Sequence, residues 1–318
     1  MSLVSAKGET PEDVYLSIVT TIVQPGFARL EKAAQVHAKD WDMACAKGNG
    51  TSANVIGSFH ELADAWAAVE MFRSGPAAKD FRRDRFYLWP ERKNAVARAF
   101  ASALGTPETV AMNDSWIEQQ SAAIQGLPVL ERLLFGDGEA ITALLPESME
   151  CRMGVAVAGN AARLAGLMHT DWKSRAATST TADRTAMATD IVTGIALAKD
   201  DKLDAVIGKS EAQAKPKAAE FWRSRRSLRN LALNLETYAA IAKITAPYFE
   251  SPVMTYAVAT SSQTVAGMRE PLSDYGKATN RSEAYFLRAA FDSLGDSAAV
   301  EVSAALGVTV GFNSSDGD

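Results

Sequence analysis

The sequence predicts an all-α protein of two up-down helical-bundle halves, and three observations lead there. Apolar residues recur at three-to-five spacing along most of the chain. Runs alternating apolar and polar residues with β-branched enrichment are scarce, so no sheet is expected. Helix-start chemistry recurs, as at Thr10-Pro11-Glu12-Asp13, where a Thr cap, a Pro at the first position and early acids meet the positive helix end.

From that start, Val14, Ile18, Ile22, Phe27, Leu30 and Ala34 carry the apolar face of a first helix until Gly48-Asn49-Gly50 stops it. A second helix is expected from about Ser52 to Arg73, ended by Gly75-Pro76. A loop rich in charge and aromatics follows, Phe81 to Pro90. Short helices fit 92–104, 107–124 and 128–135, and a long one fits 148–174. The small polar stretch Thr178 to Asp183 reads as the best domain boundary, giving an N-terminal bundle at 1–177 and a C-terminal bundle at 178–318. Helices then fit 182–207, Lys215-Pro216 to about Lys243, 253–270 and 281–306. A length of 318 residues agrees with about two domains. A faint repeat pairs Phe59–Trp66 with Ala218–Trp222, and Gly126–Glu131 with Gly267–Leu272, which points to an internal duplication.

Composition narrows the function. Hydrophobic residues are 47% and charged residues 22%, a globular balance with enough apolar mass for a large core. A net charge of −5 argues against a nucleic-acid partner or an anionic-membrane binder. Three histidines, His37, His60 and His169, nearly exclude a multi-His metal site. Two cysteines, Cys45 and Cys151, are too few for a disulfide scaffold but permit one bridge. No apolar run reaches the length of a membrane-spanning helix. The opening residues, Met1 to Gly8, lack the basic and apolar regions of a signal peptide, so a cytosolic protein and a mature domain whose leader was replaced are equally in keeping with the composition.

Several side chains are candidates for chemistry. On the helix expected from 215, Phe221, Leu228, Leu231, Leu235 and Tyr238 form an apolar stripe, with Arg223, Arg226, Ser227, Asn230 and Asn234 on nearly the opposite face. That second stripe is either a solvated face or a polar cleft in which arginine forks hold carboxylates. His60-Glu61-Leu62-Ala63-Asp64 resembles a broken HExxH zinc motif, with His60 alternatively a hydrogen-bonded structural residue. Gly126, Pro128 and Glu131 read as a helix restart, with Glu131 complementing the helix dipole or acting as a partly buried ligand carboxylate. The tail holds Asn313, Asp316 and Asp318, oxygen donors suited to a cation or to arginines, unless it frays.

These landmarks together resemble imelysin-like proteins. The resemblance rests on Phe59–Trp66, Phe72–Pro76, Leu88–Arg92, Gln125–Phe135, Glu150–Arg152, Lys215–Asn230 and Gly311–Asp318, which cover nearly the whole chain. It implies two bundle-like halves with a site between them, to which Trp66, Arg92, Gly126, Glu131, Arg223, Arg226, Ser227, Asn230, Asp316 and Asp318 would contribute. It implies a periplasmic or lipid-anchored place in the bacterial envelope, and relatives linked to iron uptake. The family name reflects a proposed metallopeptidase with a GxHxxE motif, whose His and Glu would be metal ligands. Here the histidine position is Pro128, which has no side-chain donor, and this aligns the chain with the degenerate lipoprotein branch. A divalent cation or iron remains the candidate cofactor, with Glu131 and His60 as its candidate ligands.

The resemblance thus favours an envelope protein binding a small ligand, metal complex or peptide, over a metallopeptidase or a structural, partner-binding envelope protein. It also places Cys45 and Cys151 for pairing, a bridge that persists only in an oxidising compartment. The lack of a leader is then expected to reflect its removal from an exported protein.

Overall fold

The computed structural model describes residues 10–47, 52–175 and 179–310. The expected helix stop at Gly48–Gly50, the boundary between residues 177 and 178, and the tail acids Asp316 and Asp318 lie outside those residues.

Helices dominate, and no strand occurs among the described residues. The first half contains α1 (Pro11–Ile18), α2 (Gln24–Lys47), α3 (Ser52–Ala67), α4 (Arg82–Phe86), α5 (Ala95–Leu104), α6 (Asp114–Glu118), α7 (Leu127–Phe135) and α8 (Met149–Ser174). The second contains α9 (Thr181–Leu197), α10 (Ala205–Ile207), α11 (Ser227–Thr245), α12 (Val253–Gly267) and α13 (Arg281–Ala305). α1 starts on a full capping box between Thr10 and Asp13. It runs into α2 through a wide turn at Val19–Val23. Pro25 explains that turn: it has no N–H to give and would clash with the carbonyl four residues back, so the helix widens just before it.

The long α2 and α8 pack together and carry α3 beside them. Trp41 on α2 lies so close to Gly154 on α8 that a Cβ there would stand 2.2 Å from its ring. At one end, Cys45 and Cys151 form a disulfide with Cα atoms 5.5 Å apart. Nearby, buried His37 accepts a hydrogen bond from the Trp41 indole at 3.0 Å, and burial lowers its pKa to about 3. It is therefore neutral and structural. In the second half, α12 packs between α11 and α13, and α9 lies against α13. α11 also packs on α1 and α3, so the apolar core is continuous between halves.

Three expected helices differ: the one from Ser52 ends at Ala67 and not at Arg73, the one at 107–124 is helical only at Asp114–Glu118 and in a 3-10 turn at Ala122–Ile124, and the third starts late. The helix predicted from Lys215 to Lys243 begins only at Ser227. Before it come a 3-10 turn at Pro216–Ala218 and an irregular reversal in which Phe221 (φ 45°) and Arg225 (φ 53°) adopt left-handed backbone. Two carboxylates stabilise the reversal. Glu131 accepts the Ser224 N–H at 2.9 Å, and Glu270 accepts the Leu228 N–H at 2.5 Å at the start of α11. Arg223 and Arg226 therefore do not share a helical face with Asn230 and Asn234. Ala218–Trp222 lies in this turn, whereas Phe59–Trp66 is helical. The Asn stripe is not solvated either: Asn230 and Asn234 are buried, and Asn234 donates to the Ala67 carbonyl of the first half at 2.6 Å.

Candidate functional site

A cleft of about 430 Å³ opens where the reversal at 215–223 meets the first half. Its first-half wall is the segment Tyr87–Glu91 together with Pro128 and Arg132 of α7. Its second-half wall is Lys215–Ala219 and Phe221–Arg223. Tyr87 stacks on Phe221 at 5.1 Å between centroids and forms the apolar floor. The indoles of Trp89 and Trp222 are half-buried at the sides. Arg223 lies over Trp222 at 4.2 Å, Lys217 over the same ring at 5.0 Å, and the Arg223 Nε donates to the Gly136 carbonyl at 2.8 Å.

Glu131 joins the two walls. Its Oε1 accepts from both the N–H (2.9 Å) and the hydroxyl (2.8 Å) of Ser224. Burial pushes its carboxyl above the usual range, opposed by those Ser224 bonds and by nearby Arg223. Gly126 and Pro128 place it. Gly126 lets α7 approach α4, since a Cβ there would sit 2.0 Å from the Phe86 carbonyl oxygen. Pro128 then starts the helix, and Glu131 follows one turn later. Gly126→Ala is accordingly expected to destabilise the fold by about 1–3 kcal/mol through forced backbone shifts. Denaturant melts check this, and an unchanged midpoint would contradict it.

A metal does not fit here. Pro128 offers no donor, Glu131 is occupied by Ser224, and the neighbouring charges Arg132 and Arg223 are cationic. Among the described residues no cluster of three His, Cys, Asp or Glu could hold a metal ion. His60 does not serve either. Arg226 donates to its Nδ1 at 2.9 Å, and burial, then Arg226, lower its pKa to about 4. Asp64, the other end of the HExxH-like segment, also faces arginines: it pairs with Arg226 and, at 3.0 Å, with Arg229.

Of the other expected site residues among the described ones, only Arg223 joins Glu131 at the cleft. Arg92 is exposed and does not line it. Arg226 turns to His60 and Asp64. Ser227 is buried and donates to the Glu220 carbonyl at 2.5 Å. Asn230 is fully buried, and its side-chain amide has no protein partner among the described residues. Trp66 lies one layer below the floor, 5.7 Å from Tyr87.

Beneath the floor lies a polar cluster that sequence reading missed. Lys202, in the wide helical turn Ala198–Asp204 that follows α9, pairs with Glu70 and, at 2.7 Å, with Glu220. Asn234 accepts from Lys202 at 2.9 Å and donates to Glu70 at 2.8 Å. The Tyr87 hydroxyl donates to Glu220 at 2.8 Å. Burial, reinforced by Glu70 and opposed by Lys202, lifts the Glu220 carboxyl to about 7. Burial pulls the Lys202 ammonium down, but Glu220 and Glu70 outweigh it and leave its pKa above the usual lysine value. The cluster ties the cleft floor to both halves. Its one sequence signal is weak: Glu220 is flanked by Ala218, Ala219, Phe221 and Trp222, an apolar setting unusual for a solvated acid.

The sequence profile of the imelysin family matches residues 23–307. Two solved structures share the fold. An imelysin-like protein from Psychrobacter arcticum aligns with a TM-score of 0.82 at 17% identity, over 98% of this chain and 100% of that one. A structure described as an iron-regulated protein A precursor from Parabacteroides distasonis aligns with a TM-score of 0.67 at 16% identity, over 95% and 97%. No curated protein is significantly similar in sequence.

Proposed function

The chain belongs to the imelysin family, and from that premise we propose that it is a cell-envelope binding protein whose ligand sits in the cleft between the two halves. The observation that carries this is the cleft itself. The family's motif segment, here Pro128 to Arg132, forms one wall and Trp222-Arg223 forms the other, over an aromatic floor. The volume suits a small molecule or a short peptide. A metal enters such a cleft as part of a complex, held by the ligand's own donors. The envelope location and a link to iron handling belong to the same proposal. They are supported by the disulfide, which suits an oxidising compartment, and by the iron-regulated description of one structural relative. No helix among the described residues is long and apolar enough to cross a membrane.

The test is by NMR. Addition of a small-molecule extract of the host's envelope is expected to shift the indole N–H signals of Trp89 and Trp222, and to leave those of Trp41 and Trp172 in place. In Trp222→Ala the Trp89 shift should fall at least about tenfold in apparent affinity, as for an aromatic anchor. Binding that survives Trp222→Ala unchanged, or shifts confined to other regions, would overturn the proposal.

A further inference from the structure

We infer that the cleft selects organic anions, compounds with a carboxylate or comparable charge on a flat apolar body. This rests on the reading of the cleft as the binding site and adds the chemistry of the occupant. Four cationic side chains line the cleft, Arg132, Lys215, Lys217 and Arg223, against two carboxylates, Glu91 and Glu131. Both carboxylates are engaged. Glu91 pairs with Arg132 at 3.5 Å, and Glu131 accepts from Ser224. Lys215 and Lys217 are exposed and form no ion pair with any described residue. The local charge is therefore positive on a chain whose net charge is −5, and a localised excess against the overall sign concentrates anions at that spot.

The geometry also separates an organic anion from an inorganic one. Arg223 spends its Nε on the Gly136 carbonyl and rests its guanidinium plane on Trp222. That leaves its two terminal nitrogens for a carboxylate, in the fork arrangement that matches two oxygens. Trp89 and Trp222 present half-buried ring surface on the two sides, with Leu88, Pro90 and Pro128 beside them. A fully hydrated inorganic ion would leave that apolar surface wet, whereas a planar apolar body covers it. A bare divalent cation would meet the net positive charge of this lining.

Calorimetry with three probes tests this: 2-naphthoate, its neutral counterpart 2-naphthamide, and inorganic phosphate. In low salt the naphthoate is expected to bind at least about tenfold more tightly than the amide, the advantage shrinking as salt screens it. The double variant Lys215→Gln, Lys217→Gln changes only exposed side chains. It should weaken naphthoate about tenfold, the sum of two exposed charge interactions, and weaken the amide clearly less, since the amide loses only the Lys217 contact beside Trp222. Phosphate should compete poorly with naphthoate. Equal binding of naphthoate and amide, both lost in Trp222→Ala, would overturn the anion inference and leave the cleft reading standing. Phosphate binding as tightly as naphthoate would overturn the role of the apolar body. Binding of neither aromatic probe would overturn the inference, and with Trp89 and Trp222 also silent to the envelope extract, the cleft reading would fall with it.

Discussion

Lys202→Met is expected to cost about 3–5 kcal/mol of stability, the usual penalty for removing one partner of a buried ion pair. Lys202 is the cation that Glu70 and Glu220 share, and all three are buried. Its loss leaves the two buried carboxylates without the cation that both contact. Adding Glu70→Gln and Glu220→Gln to Lys202→Met should recover most of the loss, because the penalty comes from unpaired charge and not from packing. Urea titrations of the single and triple variants measure this. A single variant that loses under about 1 kcal/mol, or a triple variant no better than the single, would contradict the assignment.

The pH dependence follows with a definite sign. Glu220 has a folded pKa of about 7 against an ordinary 4.5. Across that window the folded state binds the proton and the unfolded state does not, so its contribution to stability is full below about 4.5 and is lost as pH rises through about 7. Glu131 and Glu270 are raised too and act in the same direction. In Glu220→Gln, the decline of stability across this window is expected to flatten. In Lys202→Met the penalty should be smallest at the acid end, where the carboxylates take up protons.

Removal of the disulfide is the second large effect. Cys45→Ala with Cys151→Ala opens a loop spanning 106 residues. The expected loss is about 2–4 kcal/mol, with an upper value of about 4.7 on the chain-entropy account. The effect lies mainly in the unfolded chain, which gains freedom when the cross-link is absent. The folded α2–α8 pair retains its other contacts, including His169 with Glu31 at 2.5 Å. A reducing agent should therefore lower the melting temperature of the natural protein and leave that of the double variant unmoved. Equal melting of oxidised and reduced protein would rule out this contribution.

Much of the fold was legible because helix periodicity and end chemistry are local. The Thr10 cap, Pro128 at the start of α7 and the boundaries of α8 near 149 and 174 all follow from residues within one turn of them. The helix expected from 215 failed for the opposite reason. Its propensities are helical, but Glu131, 93 residues before Ser224, captures that residue's N–H and turns the chain. A partner so distant in sequence leaves no periodic trace near the turn.

The candidate site divides along the same line. Residue type and spacing pointed to Glu131 and Arg223, and the resemblance to imelysin-like proteins marked Pro128 as the position of the motif histidine. The sequence also supplied Gly126 without the reason for it, which is the approach of the Phe86 carbonyl. Only the tertiary structure decided that Arg226 turns to Asp64 and His60, that Asn230 and Asn234 are buried, and that Glu70, Lys202 and Glu220 meet beneath the cleft. A charged side chain reads as solvated until packing removes its water, and packing between two halves of the chain is set by their joint core. The positive charge of the cleft has the same origin: Arg132, Lys215, Lys217 and Arg223 are separated in an acidic sequence, and the fold brings them to one opening.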